Sequence, residues 1–365
     1  SCLHLHASVL NGPMSGMWYD ETFNDRVRFG LRVKECLFRQ QSDYQLVEVF
    51  DTFELGPTLT IDGLYMTSVG DEFHYHEMIA HPAMTTARDI SRVLVIGGGD
   101  GGTAREALRH PEVEKLTMVE IDGVVVEASK KHLPDGFGAW DDPRLELIIG
   151  DGIKYVAEAA DDSFDVILLD GSDPVGPAKG LFDESFYRNV HRILKPSGVF
   201  ALQSESPTFL EPVFLEIQRT LRGVFKNVRP YFGPVPIYAA GPWSWTYASD
   251  EADPFAIVDE RAERVEAVTK QYNRDVHRGS FALPNRFRKE LSTLLRSLNN
   301  FGVPLFQVAT RLRRSLKDFF TPGMLFECFG FRYLGPVDGH DVDTLRETFE
   351  FVKREGPDGG PYLIH

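Results

Sequence analysis

Cysteine is scarce, with Cys2, Cys36 and Cys328 the only three in 365 residues. They are widely spaced, odd in number and outside any CxxC or Cys/His ligand pattern, which argues against both a disulfide framework and a zinc site. No apolar run approaches the ~18 residues of a membrane-spanning helix, and the opening SCLHLHASVLNGPMSG lacks a basic stretch followed by a long apolar one. A cytoplasmic location is therefore expected. Basic residues are outnumbered, with 39 Lys and Arg against 54 Asp and Glu and a net charge of −15. That balance disfavours a nucleic-acid binder and is compatible with cationic substrates.

What is present is ordinary globular composition, 42% hydrophobic and 25% charged, in a length suited to two domains or one large domain with additions. Residues 1–16 are expected to be a disordered leader, with Met14 or Met17 as candidate natural starts. The chain is organised around Arg92 to Asp122, RVLVIGGGDGGTAREALRHPEVEKLTMVEID. Val93 to Ile96 is the β-branched run of a buried parallel strand, Gly97 to Gly102 is a glycine turn enclosing Asp100, and Thr103 to His110 has helical character. A second strand, Leu116 to Val119, delivers Glu120, which is placed to take two ribose hydroxyls. In a dinucleotide enzyme the same loop would hold a pyrophosphate, and Asp100 would set a negative charge beside that anion. The loop therefore suits a ligand that is cationic here, such as a nucleoside with a sulfonium or an amine.

From Met17 to about Thr67, short alternating segments separated by turns, including Asp62-Gly63, predict a small antiparallel sheet. Asp71 to His81, DEFHYHEMIAH, predicts a polar turn and a helix for which a solvated surface is as good a reading as a functional one. From Ser91 to about Ser249, alternating strands and helices predict an α/β fold with a doubly wound sheet. Ligands in such sheets bind at the carboxyl ends of the strands, and Asp100, Glu120, Asp151, Asp170 and Asp173 all fall there. One such acid is usually a helix cap, but five on one rim make a strongly negative cleft.

The stretches DEFHYHEMIAH (71–81), VLVIGGGDGG (93–102), MVEID (118–122), GDG (150–152), DVILLDGSDPVGPAKGLF (165–182), PVPIYAAGPWSWTYAS (234–249) and YNRDVHRGSFALPN (272–285) together resemble the polyamine aminopropyltransferases. The resemblance runs from about Met17 to about Leu291. It implies an N-terminal β-strand domain (17–80) before a Rossmann-like, methyltransferase-type catalytic domain (81–291). It also implies transfer of an aminopropyl group from decarboxylated S-adenosylmethionine to putrescine, giving spermidine and methylthioadenosine, in a homodimer or homotetramer. By the same resemblance Asp170 is the general base and Asp173 grips the amine. Asp100 holds the amino end of the aminopropyl chain, Glu120 the ribose, and Asp151 with Gly152 the adenine edge. Gln45 lines the donor, Tyr75 and His76 line the donor and the transfer site, and Gln203 and Tyr238 belong to the acceptor side, with Tyr238 offering a ring face and a hydroxyl to an alkylammonium chain. No metal and no cofactor beyond the co-substrate is implied, since a sulfonium is already a good leaving group. Agmatine or cadaverine remain alternative acceptors. An S-adenosylmethionine methyltransferase is the alternative chemistry, although it gives less reason for the Asp170/Asp173 pair and must hold a donor carboxylate near Asp100.

Residues 292–365 differ in character. Arg286 to Lys317 carries eight Lys and Arg against one acid, which is read as a solvated helix face. TPGMLFECFGFRYLGPVDGHD (321–341) resembles an internal fragment of the 1-deoxy-D-xylulose-5-phosphate synthases, thiamine-diphosphate enzymes. This α/β extension is expected to hold strands at 329–334 and 362–364 around a helix at 342–354, and to have no synthase activity.

Overall fold

The computed structural model describes residues 16–282 except 24–26, 174–175 and 239–241, and beyond them 332–334, 346, 353 and 362–364. The chain divides into two compact units, Ser1–Thr293 and Leu294–His365.

The first unit opens with a five-stranded antiparallel meander, β1 (Met17–Phe23), β2 (Val27–Gln41), β3 (Leu46–Thr52), β4 (Gly56–Ile61) and β5 (Leu64–Ser68), paired in chain order. The β4–β5 hairpin turns at Asp62 (φ 49°) and Gly63 (φ 88°). Two successive positive φ values are what a tight two-residue hairpin requires, so the Asp-Gly signal and the conformation agree. Val47, Val49 and Leu59 of this sheet pack on Val125 and Ala128 of a helix in the following layer. Burying that apolar area ties the meander to the larger sheet.

After helix α1 (Phe73–Met84) comes a seven-stranded sheet of β6 (Arg92–Gly97), β7 (Lys115–Glu120), β8 (Leu145–Ile149), β9 (Phe164–Asp170), β10 (Leu194–Gln203), β11 (Asn227–Pro234) and β12 (Pro242–Ser249), in the order β11-β12-β10-β9-β6-β7-β8. The strands from β10 to β8 are parallel, and β12 is antiparallel to both of its neighbours. The helices are α2 (Gly102–Leu108), α3 (Gly123–His132), α4 (Gly152–Glu158), α5 (Glu184–Ile193), α6 (Glu211–Arg222), α7 (Asp259–Glu266) and α8 (Arg274–Ser280). Two buried apolar clusters result, one built on Val93, Val95, Val166 and Leu168, the other on Leu94, Ile96, Ile167 and Leu169. Adjacent residues of β6 and β9 divide between the two, as the period of two in a strand demands. This is the doubly wound, Rossmann-like, methyltransferase-type sheet the sequence predicts.

The chain runs β6, β7, β8 to one side and returns to β9 on the other side of β6. That reversal opens a crevice at the carboxyl ends of β6 and β9, where Gly97 and Asp170 are register partners. Gly97 has φ 80°, and a Cβ there would overlap the Asp170 carbonyl oxygen. Only glycine meets both conditions.

One expectation is corrected. The composition of 71–81 admits a solvated surface helix as readily as a functional one, but every residue of α1 from Tyr75 to Met84 is buried. The buried polar side chains Tyr75, His76, Glu77 and His81 are tolerated because each finds a hydrogen-bond partner. Residue 80, the expected end of the N-terminal domain, falls inside α1. In the second unit, β13 (Arg332–Leu334) and β14 (Tyr362–Ile364) pair in parallel. Apart from residues 346 and 353, the 342–354 segment lies outside the described residues. So do 286–317 and 1–15. Among the described residues no helix is long and apolar enough to cross a membrane.

Candidate active site

The crevice holds a cavity of about 150 Å³ lined by Gln45, Tyr75, His76, Asp100, Glu120, Asp151, Gly152, Asp170 and Tyr238 together with the glycines 97–99. A second cavity of about 60 Å³ is lined by Glu21, Tyr65, Asp173, Gln203, Trp243 and Tyr238. Met66, Tyr75, Gly171, Ser172 and Tyr238 line both cavities. The segment Asp170 to Asp173 is therefore the partition, with one acid facing each side. Every candidate residue read from the sequence lines one cavity or the other.

Asp170 is held at both oxygens. The Tyr75 hydroxyl donates to Oδ1 at 2.7 Å and the Thr103 hydroxyl to Oδ2 at 2.7 Å. Burial and the neighbouring Asp100 push its pKa up, while His76 and the two hydroxyls act against that rise. Asp100 accepts from the Gly102 N–H at 2.7 Å through Oδ1, and its Oδ2 lies 3.3 Å from His76 Nε2. His76 Nδ1 is 2.6 Å from Glu72 Oε2, which also accepts from Arg105 at 2.7 Å. Burial opposes protonation of His76, but Asp100 and Glu72 outweigh it and hold its pKa well above the usual imidazole value. His76 is therefore an imidazolium clamped between two carboxylates. Burial works against the charge on Glu72 as well, yet His76 and Arg105 draw its pKa down to about 2. Gly102 is glycine because a Cβ would overlap the His76 ring.

Glu120 is buried at the end of β7, and its Oε1 accepts from the Asp122 N–H at 2.9 Å. Burial, aided by Asp122 and Asp170 and opposed by the N–H donors, pushes it up to about 7. Gln45 reaches the cavity from the meander, where its amide donates to Asp122 Oδ2 at 3.0 Å. Ser42 donates to the same oxygen at 2.7 Å. Asp151 is exposed and caps α4 by accepting from the Ile153 N–H at 2.8 Å, which leaves its other oxygen free for the cavity.

On the second side, Gln203 donates to the Gly171 carbonyl at 3.3 Å and to Glu205 Oε1 at 3.2 Å. The Tyr238 hydroxyl donates to the Met66 carbonyl at 2.7 Å. That bond commits the hydroxyl hydrogen and fixes the ring, which lines both cavities, while the oxygen keeps the lone pair that an alkylammonium donor would need. Sequence reasoning missed four residues. Glu21 comes from β1 and accepts from the Tyr65 N–H at 2.8 Å. Glu205 is fully buried at φ 69°, a strained conformation for a non-glycine residue. Burial and Asp173 raise its pKa well above the usual carboxyl value, so it keeps a proton beside Asp173. Glu72 and Thr103 are the others; of the four only Glu72 carried a local signal, its spacing of four residues from His76 within the 71–81 segment. Among the described residues no group of three His, Cys, Asp or Glu is arranged to hold a metal ion.

Family models place this architecture among known proteins. The model of the spermine/spermidine synthase domain matches residues 72–257, that of the spermidine synthase tetramerisation domain matches 17–68, and that of 1-deoxy-D-xylulose-5-phosphate synthase matches 262–365. A polyamine aminopropyltransferase of Desulforudis audaxviator is 45% identical over 276 residues, covering 74% of this chain and 99% of that protein. One of Bacillus subtilis is 40% identical over 271 residues, covering 74% and 97%. The crystal structure of a spermidine synthase with the transition state analogue AdoDATO matches with TM-score 0.74 and 39% identity over 77% of this chain and 97% of that one. A spermidine synthase from Thermotoga maritima matches with TM-score 0.73 and 39% identity over 77% and 96%.

Proposed function

The chain belongs to the spermine/spermidine synthase family of polyamine aminopropyltransferases, and on that premise we propose that it moves the aminopropyl group of decarboxylated S-adenosylmethionine onto putrescine. The observation that carries this reading is the Asp170 to Asp173 partition between two acid-lined cavities, one large enough to begin a nucleoside site and one suited to an amine. The donor lies in the first cavity with its ribose on Glu120, its adenine edge at Asp151 and Gly152 beside Gln45, and its amino end on Asp100 near His76. The acceptor lies in the second, between Asp173, Gln203 and the ring of Tyr238, with Glu21 and Glu205 beyond.

A diamine with pKa of about 10 arrives protonated, so a proton must leave before nitrogen can attack. Asp170 takes it. The nitrogen lone pair forms the new C–N bond, the C–S bond breaks, and its electron pair returns to sulfur, giving neutral methylthioadenosine. Because the leaving group departs without charge, the protein supplies orientation, water exclusion and one base.

The test is mass spectrometry of products after incubating the full chain with putrescine and either decarboxylated or ordinary S-adenosylmethionine. Spermidine and methylthioadenosine from the decarboxylated donor alone are expected. S-adenosylhomocysteine from the ordinary donor would make the protein a methyltransferase, and adducts of agmatine or cadaverine in place of spermidine would replace the acceptor.

Glu120 gives a second expectation. Ribose hydroxyls donate to its charged form and so lower its pKa. Binding methylthioadenosine at pH 6.5 is then expected to release roughly half a proton or more, falling to near zero at pH 8.5, as read by titration calorimetry in buffers of different ionisation enthalpy. Heats independent of buffer at pH 6.5, or a release that persists in Glu120→Gln, would remove Glu120 from the ribose site.

Homotetramer formation is part of the proposal, supported by the tetramerisation-domain match over 17–68. The exposed free thiol of Cys36 suits a reducing compartment such as the cytoplasm. We also propose that 1–16 is a leader, that the meander and the α/β sheet within 17–291 are the working domains, divided before α1 and not at residue 80, and that 292–365 is a dispensable extension. Support for the last boundary comes from the division of the chain after Thr293 and from a site drawn wholly from residues 21–243. A chain ending at Ser292 is expected to keep its turnover and melting temperature within error. A large loss of either would make the extension integral.

A further inference from the structure

We propose that Thr103 is a positioning residue for the transfer, its hydroxyl holding one oxygen of Asp170 back against the protein so that the other meets the acceptor amine. The proposal rests on Asp170 being the base.

The two oxygens of Asp170 are bonded in different surroundings. Oδ1 accepts from Tyr75, whose ring lines both cavities. Oδ2 accepts from Thr103, which is fully buried and lines neither. Gly98 also lies beside this oxygen, where a side chain would intrude, since a Cβ on it would come within 2.9 Å. Oδ2 is thus held from inside the protein, while Oδ1 and its hydroxyl partner face the reactants.

The position of Thr103 also explains why its hydroxyl is free for this work. It is the second residue of α2, where a Ser or Thr hydroxyl often bonds to its own helix. Here the N-cap is Gly101 at φ 85°, with no side-chain cap. The hydroxyl instead crosses to β9, 67 residues away in sequence. A β-branched side chain fully buried in a helix has few rotamers to choose from, so the donor is preorganised. Valine keeps that shape and removes only the hydrogen bond.

Loss of a donor to the charged form raises a carboxyl pKa. Removing the Thr103 hydroxyl should therefore move the acid limb of the transfer step upward as well as loosen the carboxylate. Other ionisable groups facing Asp170 are Tyr75 and His76 from α1, Asp100 from the β6–α2 loop, Glu120 from β7 and Tyr238 from the segment after β11. Saturation with donor keeps Glu120 on the ribose, so that its titration drops out of kcat.

The experiment is kcat against pH with both substrates saturating, for the full chain and for Thr103→Val, Thr103→Ser and Asp170→Asn. Thr103→Val is expected to lower kcat about tenfold at pH 7, to move the acid limb up by about one pH unit and to leave the donor KM within about twofold. Thr103→Ser should return the limb to its original place. A limb unmoved in Thr103→Val, whatever happens to kcat, overturns the proposal, because lost packing alone does not change a base. If Asp170→Asn keeps the original limb, the base assignment itself fails, and that result does not depend on either Thr103 variant.

Discussion

Asp170→Asn is expected to lower kcat by about three orders of magnitude while leaving donor affinity within a few fold. A positioned base contributes roughly 10²–10⁴ to proton-transfer reactions. The carboxylate stands at the partition between the two cavities and has a pKa raised by burial and Asp100, so it is a stronger base than an exposed aspartate. Asparagine matches it in size but cannot take the amine proton. It also disturbs the local bonding. Tyr75 and Thr103 both donate to Asp170, and an amide offers one acceptor oxygen where the carboxylate offers two. Single-turnover measurement with preloaded donor separates the two effects, since lost chemistry slows the transfer step even when binding is intact. Turnover within tenfold of the unaltered chain would transfer the base role to another group.

Glu77→Ala is expected to give the largest loss of stability of any single polar substitution on α1. The Glu77 carboxylate accepts from the backbone N–H groups of Lys270 at 2.9 Å, Gln271 at 2.7 Å and Tyr272 at 2.7 Å. It latches the turn before α8 onto a helix almost 200 residues earlier. Tyr272 continues the attachment, with its hydroxyl 2.9 Å from Thr85 Oγ1 and 2.9 Å from His277 Nδ1. Alanine leaves these donors without acceptors, that of Tyr272 buried and those of Lys270 and Gln271 partly so, at about 1–3 kcal/mol for each group that stays dry. A total of about 3–5 kcal/mol corresponds to a fall in melting temperature on the order of 10 °C for a unit of this size. Glu184→Ala is the control, since its pairing with Arg188 is on the exposed face of α5 and should shift the melting temperature negligibly. Equal melting temperatures for Glu77→Ala and the control would mean that the latch carries no stability.

Both outcomes turn on α1, the element least legible in the sequence. DEFHYHEMIAH carries acids and histidines where a buried helix usually carries leucine and valine, so its composition admits a solvated reading. The burial is possible only because His81 meets Glu106 at 3.1 Å and His110 at 3.2 Å, and because Glu72, His76 and Glu77 have their own partners. Apart from the Glu72–His76 pair, four residues apart, those partners come from distant parts of the chain, and a helical periodicity contains no information about them.

The central unit was legible for the opposite reason. Val93 to Ile96, the glycine turn and Glu120 lie within 28 residues and are governed by side-chain branching, φ tolerance and strand period. The Asp62-Gly63 hairpin was read on the same grounds. Acids at strand ends followed from the rule that ligands meet the carboxyl edge of a parallel sheet. What the chain alone determined, then, are features set by local geometry: the strand and helix pattern, the glycine positions and the acidic rim. The resemblance of its motifs added the roles. The tertiary structure decided which oxygen of Asp170 meets Thr103, that His76 lies between Glu72 and Asp100, and that Glu21 and Glu205 join the second cavity. Hydrogen bonds and desolvation act over a few ångströms in space, and only the folded packing brings groups tens of residues apart into that range.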